Sequence, residues 1–115
     1  MHSSSSPPLK PLDFFVLTSL LEGEHHGYRI RQEVLTLSDG TLLVEAGNLY
    51  RAIRRLRDEG LLESSPRRPS PSLDDERRRY YRLTQKGRER LAGDAKRLAT
   101  LLRSKRIRKL LSETG

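Results

Sequence analysis

The 115-residue sequence contains no cysteine, which excludes disulfides, thiolate metal sites and a cysteine nucleophile. No apolar run approaches the roughly 20 residues that a membrane-spanning helix needs. Met1–Pro8 lacks the charged start and apolar stretch of a secretion signal. There is no Gly-rich phosphate loop, no H-E-x-x-H and no G-x-S-x-G, and no cluster of carboxylates and histidines converges on one predicted face. His25-His26 is the one metal-like pair, but neighbouring histidines on a helix point apart and no third ligand lies nearby. His26 is therefore expected to pack or cap at a helix start. These absences set the expectation of a cytoplasmic, non-enzymatic chain with no metal and no cofactor.

Apolar residues are also scarce, at 34% against 33% charged. That is more charge and less core than an average globular chain carries. Such a chain often completes its core against a second copy of itself. Positive charge is abundant and uneven. Residues 1–50 hold 3 Lys+Arg and 6 Asp+Glu, a balance of −3, whereas residues 51–115 hold 20 and 9, a balance of +11. A basic half on an acidic half suggests one cationic surface for a polyanion, or else a solvated basic surface.

Ser3–Ser6 and Pro7-Pro8 read as a disordered arm, native or left over from cloning, so residues 1–10 are set aside. Pro11–Glu22 is the first helix, apolar around its whole circumference, with Gly23 as its stop. His26–Leu37 is amphipathic through Ile30, Val34 and Leu37, and Ser38-Asp39-Gly40 ends it. Thr41–Glu45 is short and β-prone, an expected edge strand. Ala46–Glu59 is a third helix with an apolar stripe of Leu49, Ile53 and Leu56, and Gly60 closes it. Leu61–Ser64 and Arg78–Thr84 alternate as two strands around a Pro/Ser-rich loop, Ser65–Glu76. Thr84 is an N-cap for a long last helix with a stripe of Leu91, Ala95, Leu98 and Leu102. Ile107 and Leu111 leave that stripe, so the helix either bends near Ser104 or meets another surface there. The predicted class is mainly α with a small β-hairpin. Three helices followed by a hairpin is the winged helix-turn-helix order, here residues 11–84, with 85–112 as a C-terminal dimerisation helix.

Reading a DNA major groove needs a helix with one face docked on its own domain and donors on the other. The third helix has both. Asn48 lies at its amino end, Arg51, Arg54 and Arg55 supply guanidiniums, and Tyr50 offers a hydroxyl to a phosphate. Arg68 flanks the first strand, and Arg77, Arg78 and Arg79 flank the second, where a wing would meet backbone or minor groove. Phe14, Leu17, Leu21, Leu91, Ala95, Leu98 and Leu102 are the expected dimer interface. Tyr28, Tyr80 and Tyr81 are expected in core and hairpin packing. A small apolar or aromatic effector between the first and last helices is a further expectation, drawn from the apolar excess of Leu12–Leu21.

Several stretches carry a family resemblance: Leu20-Leu21-Glu22-Gly23, His26-Gly27-Tyr28, Gly47-Asn48-Leu49-Tyr50-Arg51-Ala52-Ile53, Leu56, Glu59-Gly60-Leu61-Leu62-Glu63, Arg79-Tyr80-Tyr81-Arg82-Leu83-Thr84 and Lys86-Gly87. In this order they span residues 16–90, and the chain resembles the PadR-like regulators. The resemblance implies a winged helix-turn-helix, a homodimer made by a single C-terminal helix, and binding of double-stranded DNA through the third helix and wing. It also implies a repressor released by a signal. Where the family often has Ser/Thr-Pro-Gly-Thr/Ser, this chain has Glu45-Ala46-Gly47-Asn48. Rival expectations from other classes are a winged-helix protein-assembly module and a basic RNA-binding protein.

Overall fold

A computed structural model describes residues 7–66 and 79–114. Its elements run α1 (Pro11–Ser19), β1 (His25–His26), α2 (Gly27–Leu37), α3 (Ala46–Asp58), β2 (Leu62–Ser64), β3 (Tyr80–Leu83), α4 (Gln85–Leu102) and α5 (Lys105–Thr114). Pro11 occupies the first helical position of α1, where its missing N–H costs nothing and its φ is already helical. Val16 and Leu17 of α1, and Leu20 at its C-cap, are fully or almost fully buried. They pack beneath α2, α3 and α4 of the same chain.

Helix α2 starts at His26, whose Nδ1 accepts the Arg29 N–H at 3.0 Å, so the histidine caps as expected. Its buried stripe is Ile30 and Val34; Leu37, in the last turn, is exposed. The helix stops because Asp39 and Gly40 both turn left-handed, with φ of 57° and 76°. The Gly40 N–H then closes on the Leu35 carbonyl at 2.8 Å.

The three-stranded antiparallel sheet has the order β1-β3-β2. Leu62 faces Leu83, Glu63 faces Arg82 and Ser64 faces Tyr81, which is the predicted hairpin. The predicted strand at Thr41–Glu45 does not form. The free edge of β3 is taken by His25 and His26, which pair with Tyr81 and Tyr80. The 41–45 segment instead runs beside α2, where Arg31 Nε donates to the Val44 carbonyl at 3.0 Å. Tyr81 lies in the core, whereas Tyr28 is exposed, contrary to its expected packing role.

The last helical run is two helices, not one. Helix α4 ends at Leu102, and Ser104 begins α5 by accepting the Ile107 N–H through its Oγ at 3.3 Å. Part of the expected disordered arm is also tied down. The Leu9 N–H donates to Asp94 Oδ2 of α4 at 2.7 Å, and Arg90 donates to the Pro7 carbonyl.

Candidate nucleic-acid interface

Helix α3 is built in two halves by its sequence. Leu49, Ile53 and Leu56 are completely buried, with Ala52 nearly so. Burial of an aliphatic side chain of this size contributes about 1.5–3 kcal/mol, so this stripe fixes which face points outward. Asn48, Arg51 and Arg54 fall on the exposed side. Glu45 holds the N-cap position without a side-chain hydrogen bond to the helix. At the other end Gly60, with φ of 79°, closes a left-handed cap. Its N–H reaches the Arg57 carbonyl at 2.9 Å, and the Leu61 N–H reaches Leu56 at 2.9 Å.

Two predicted contact residues are elsewhere. Tyr50 is only 7% exposed and belongs to the core, so its ring does not stand on the outer face. Arg55 turns inward to α1, where its two terminal nitrogens donate to Asp13 Oδ2 and Oδ1 at 2.9 and 3.0 Å. The hydrogen bond to Asp13 raises the Arg55 pKa above its ordinary range; desolvation opposes this, and the charges of Asp13 and Glu59 reinforce it. Sequence inspection missed Asp13, yet a carboxylate inside a helix apolar on all sides needs a partner.

The entrance to α4 is locked to the end of α3. Lys86 Nζ donates to the Glu59 carbonyl at 2.8 Å, and Thr84 Oγ1 donates to the Gly60 carbonyl at 2.6 Å. Gly87 sits so close to β2 that an added Cβ would lie 1.9 Å from the Leu61 carbonyl oxygen. On the hairpin, Arg82 Nε pairs with Glu63 across the strands at 2.7 Å. Arg79 is half-buried at the start of β3. Arg68, Arg77 and Arg78 lie outside the described residues.

The expected dimer residues divide. Leu17 and Leu91 are consumed by the chain's own core and have no surface left for a partner. Leu21, Ala95, Leu98 and Leu102 are exposed, joined by Leu101, and Phe14 is half-buried. Between α1 and α4 runs an apolar groove of about 510 Å³, lined by Leu9, Phe14, Phe15, Leu98 and Leu101 together with Asp94 and Arg97.

A model of the transcriptional regulator PadR-like family matches residues 16–93. The chain belongs to that family. An uncharacterised protein of Lysinibacillus sphaericus is 30% identical over 81 residues, covering 70% of this chain and 72% of the relative. A PadR-like regulator from Bacillus cereus superposes with a TM-score of 0.66 at 24% identity, over 87% of this chain and 90% of that one. Bacillus subtilis PadR in complex with operator DNA superposes with a TM-score of 0.60 at 23% identity, over 73% of this chain and 46% of the larger protein. At these identities the structural likeness speaks to the fold, a mainly helical winged helix with a small antiparallel sheet. The PadR-like chain thus has the architecture that its element order implied.

Proposed function

We propose that this PadR-like chain is a sequence-specific DNA-binding regulator. It works as a homodimeric repressor and places α3 of each copy in successive major grooves of a pseudo-palindromic operator. The observation that carries the reading is the division of α3. Its apolar side is fixed in the core, while Asn48, Arg51 and Arg54 are exposed together on the other side. Such a helix presents guanidinium donors to base edges and phosphates from a rigid support. The wing adds Arg79, with Arg68, Arg77 and Arg78 in the same role against phosphate or minor groove.

Dimer formation is supported by Leu98, Leu101 and Leu102, which are 47–55% exposed along one side of α4. A twofold dimer would set the two α3 helices about 34 Å apart. The groove between α1 and α4 suits a small apolar or aromatic effector in both size and lining.

The test is fragment selection from the source genome, followed by anisotropy titration against the selected duplex, random duplex and structured RNA. The expected result is a clear preference for the selected duplex, with log Kd against log salt changing by about 0.9 per phosphate contact. Equal affinity for all three nucleic acids, or none for any, would remove the regulator reading in favour of a basic RNA-binding or protein-assembly role. Sedimentation at binding concentrations should give a dimer; a monomer bound to a full operator would overturn the twofold geometry.

A further inference from the structure

The exposed face of α3 is internally organised. Arg51 Nη2 donates to Oδ1 of Asn48, one turn earlier on the same helix. Arg51 Nη1 lies 3.6 Å from where a Cβ on Gly47 would stand. The guanidinium therefore lies back over the first turn of α3. Gly47 leaves bare backbone beneath it, and Asn48 holds its edge. The φ of Gly47 is not left-handed. A methyl there would touch the guanidinium at ordinary contact distance, so a side chain longer than alanine is what would displace it.

We propose that Gly47 and Asn48 form a seat that orients Arg51 toward the amino end of α3, making Asn48 a positioning residue and Arg51 the residue that reads a guanine. This rests on the DNA-binding reading above and deepens it. An arginine side chain is long and loses much rotamer freedom when it is fixed on a base. A seat already formed in the free protein removes part of that loss. One guanidinium N–H is used by Asn48; four remain, enough for the two-pronged contact to guanine O6 and N7. An asparagine that read DNA itself would instead pair its amide with adenine N6 and N7, and its Oδ1 would then have to share its two lone pairs between adenine N6 and Arg51.

The test is a double-mutant cycle of Asn48→Ala and Arg51→Ala, with Asn48→Asp and Gly47→Leu added. Each variant is measured on the selected operator, on operators with single base-pair changes, and on random DNA. Asn48→Ala should lower the operator-to-random ratio by about fivefold in the parent chain and by less than about twofold when Arg51 is already alanine. Both single variants should lose discrimination at the same G·C pair. Asn48→Asp, which keeps the acceptor, should restore it, and Gly47→Leu, which fills the seat, should mimic Asn48→Ala. A spectroscopic arm needs no DNA: the Arg51 guanidinium NMR signals of the free protein should be sharp and should broaden in Asn48→Ala. Additive losses, or a loss in Asn48→Ala confined to an A·T pair, would make Asn48 a base reader and overturn the seat. Loss of all operator preference in the parent chain would strike the DNA-binding reading instead.

Discussion

Replacing Arg55 by alanine separates two roles that α3 gives its arginines. Asp13 is 6% exposed at its side chain, and the two hydrogen bonds from Arg55 are the contacts that compensate its burial. Breaking a fully buried ion pair costs about 3–5 kcal/mol. The Arg55 side chain is 40% exposed, so solvent screens the pair and can enter when the guanidinium is removed. The expected loss is then about 2 kcal/mol. Asp13→Ala should cost less, about 1 kcal/mol, because the surviving guanidinium can turn to water whereas the surviving carboxylate in Arg55→Ala cannot. Arg55→Lys should fall between, since an ammonium does not reproduce the fork. The raised Arg55 pKa fixes the sign with pH. The part of the stabilisation linked to the Arg55 proton is fully present at neutral and moderately alkaline pH and is lost only as the guanidinium itself deprotonates in strong alkali.

The assay is urea unfolding followed by circular dichroism at one fixed protein concentration, because the proposed dimer would make stability depend on concentration. Operator affinity is measured alongside, on folded protein. Arg55→Ala should weaken the operator complex by less than about threefold, against about tenfold or more for an arginine that reads a base. The reasoning is refuted if Arg55→Ala stays within about 0.5 kcal/mol of the parent while operator affinity falls tenfold. Arg55 would then belong to the DNA surface and its bond to Asp13 would be incidental.

Three further outcomes follow from the same geometry. Gly87→Ala should cost about 3 kcal/mol or more and broaden the unfolding transition, because the methyl meets backbone at Leu61 that cannot move without lifting α4 off β2; an unchanged midpoint would contradict the close approach. Glu45→Asp should stabilise by about 0.5–1 kcal/mol, since the shorter carboxylate can cap an α3 start that has no side-chain cap while keeping its negative charge at the helix amino end; a neutral or negative change in urea unfolding would refute this. Leu98→Asp combined with Leu101→Asp should give a folded monomer by sedimentation with its helical spectrum intact, because both side chains are exposed in the single chain; a persistent dimer would move the interface elsewhere.

Periodicity alone made the docked stripe of α3 and the two strands of the hairpin legible, because each is set by neighbours along one element. It misplaced what depends on a second element. Leu17 and Leu98 look alike on a helical wheel, yet α1 packs against α2, α3 and α4, whereas the far half of α4 leaves Leu98, Leu101 and Leu102 about half exposed. Thr41–Glu45 has β-prone residues, but the available edge of β3 is already paired with His25–His26. Arg55 resembles its neighbours Arg51 and Arg54 in sequence, but a carboxylate 42 residues away claims it. A glycine inside a helix costs about 1 kcal/mol against alanine, which marks Gly87 as a place where something must come close. Which backbone comes close is not readable from periodicity.

These tertiary contacts share a consequence for the recognition face. Helix α3 is gripped from α1 through Asp13–Arg55, and from the start of α4 through Lys86–Glu59 and Thr84–Gly60. The grips are hydrogen bonds of fixed direction at the carboxyl half of α3, so they set its angle as well as its position. The same two helices also flank the apolar groove lined by Phe14, Phe15, Leu98 and Leu101. Anything that wedges those two helices apart must either stretch one grip or tilt α3 with it. Stretching the Asp13–Arg55 grip would leave a buried carboxylate without its fork, so tilting α3 is the less costly response. In the proposed dimer, a tilt of α3 in one copy would be matched in the other. The two proposed reading helices would then leave the spacing of about 34 Å at which they would enter successive major grooves.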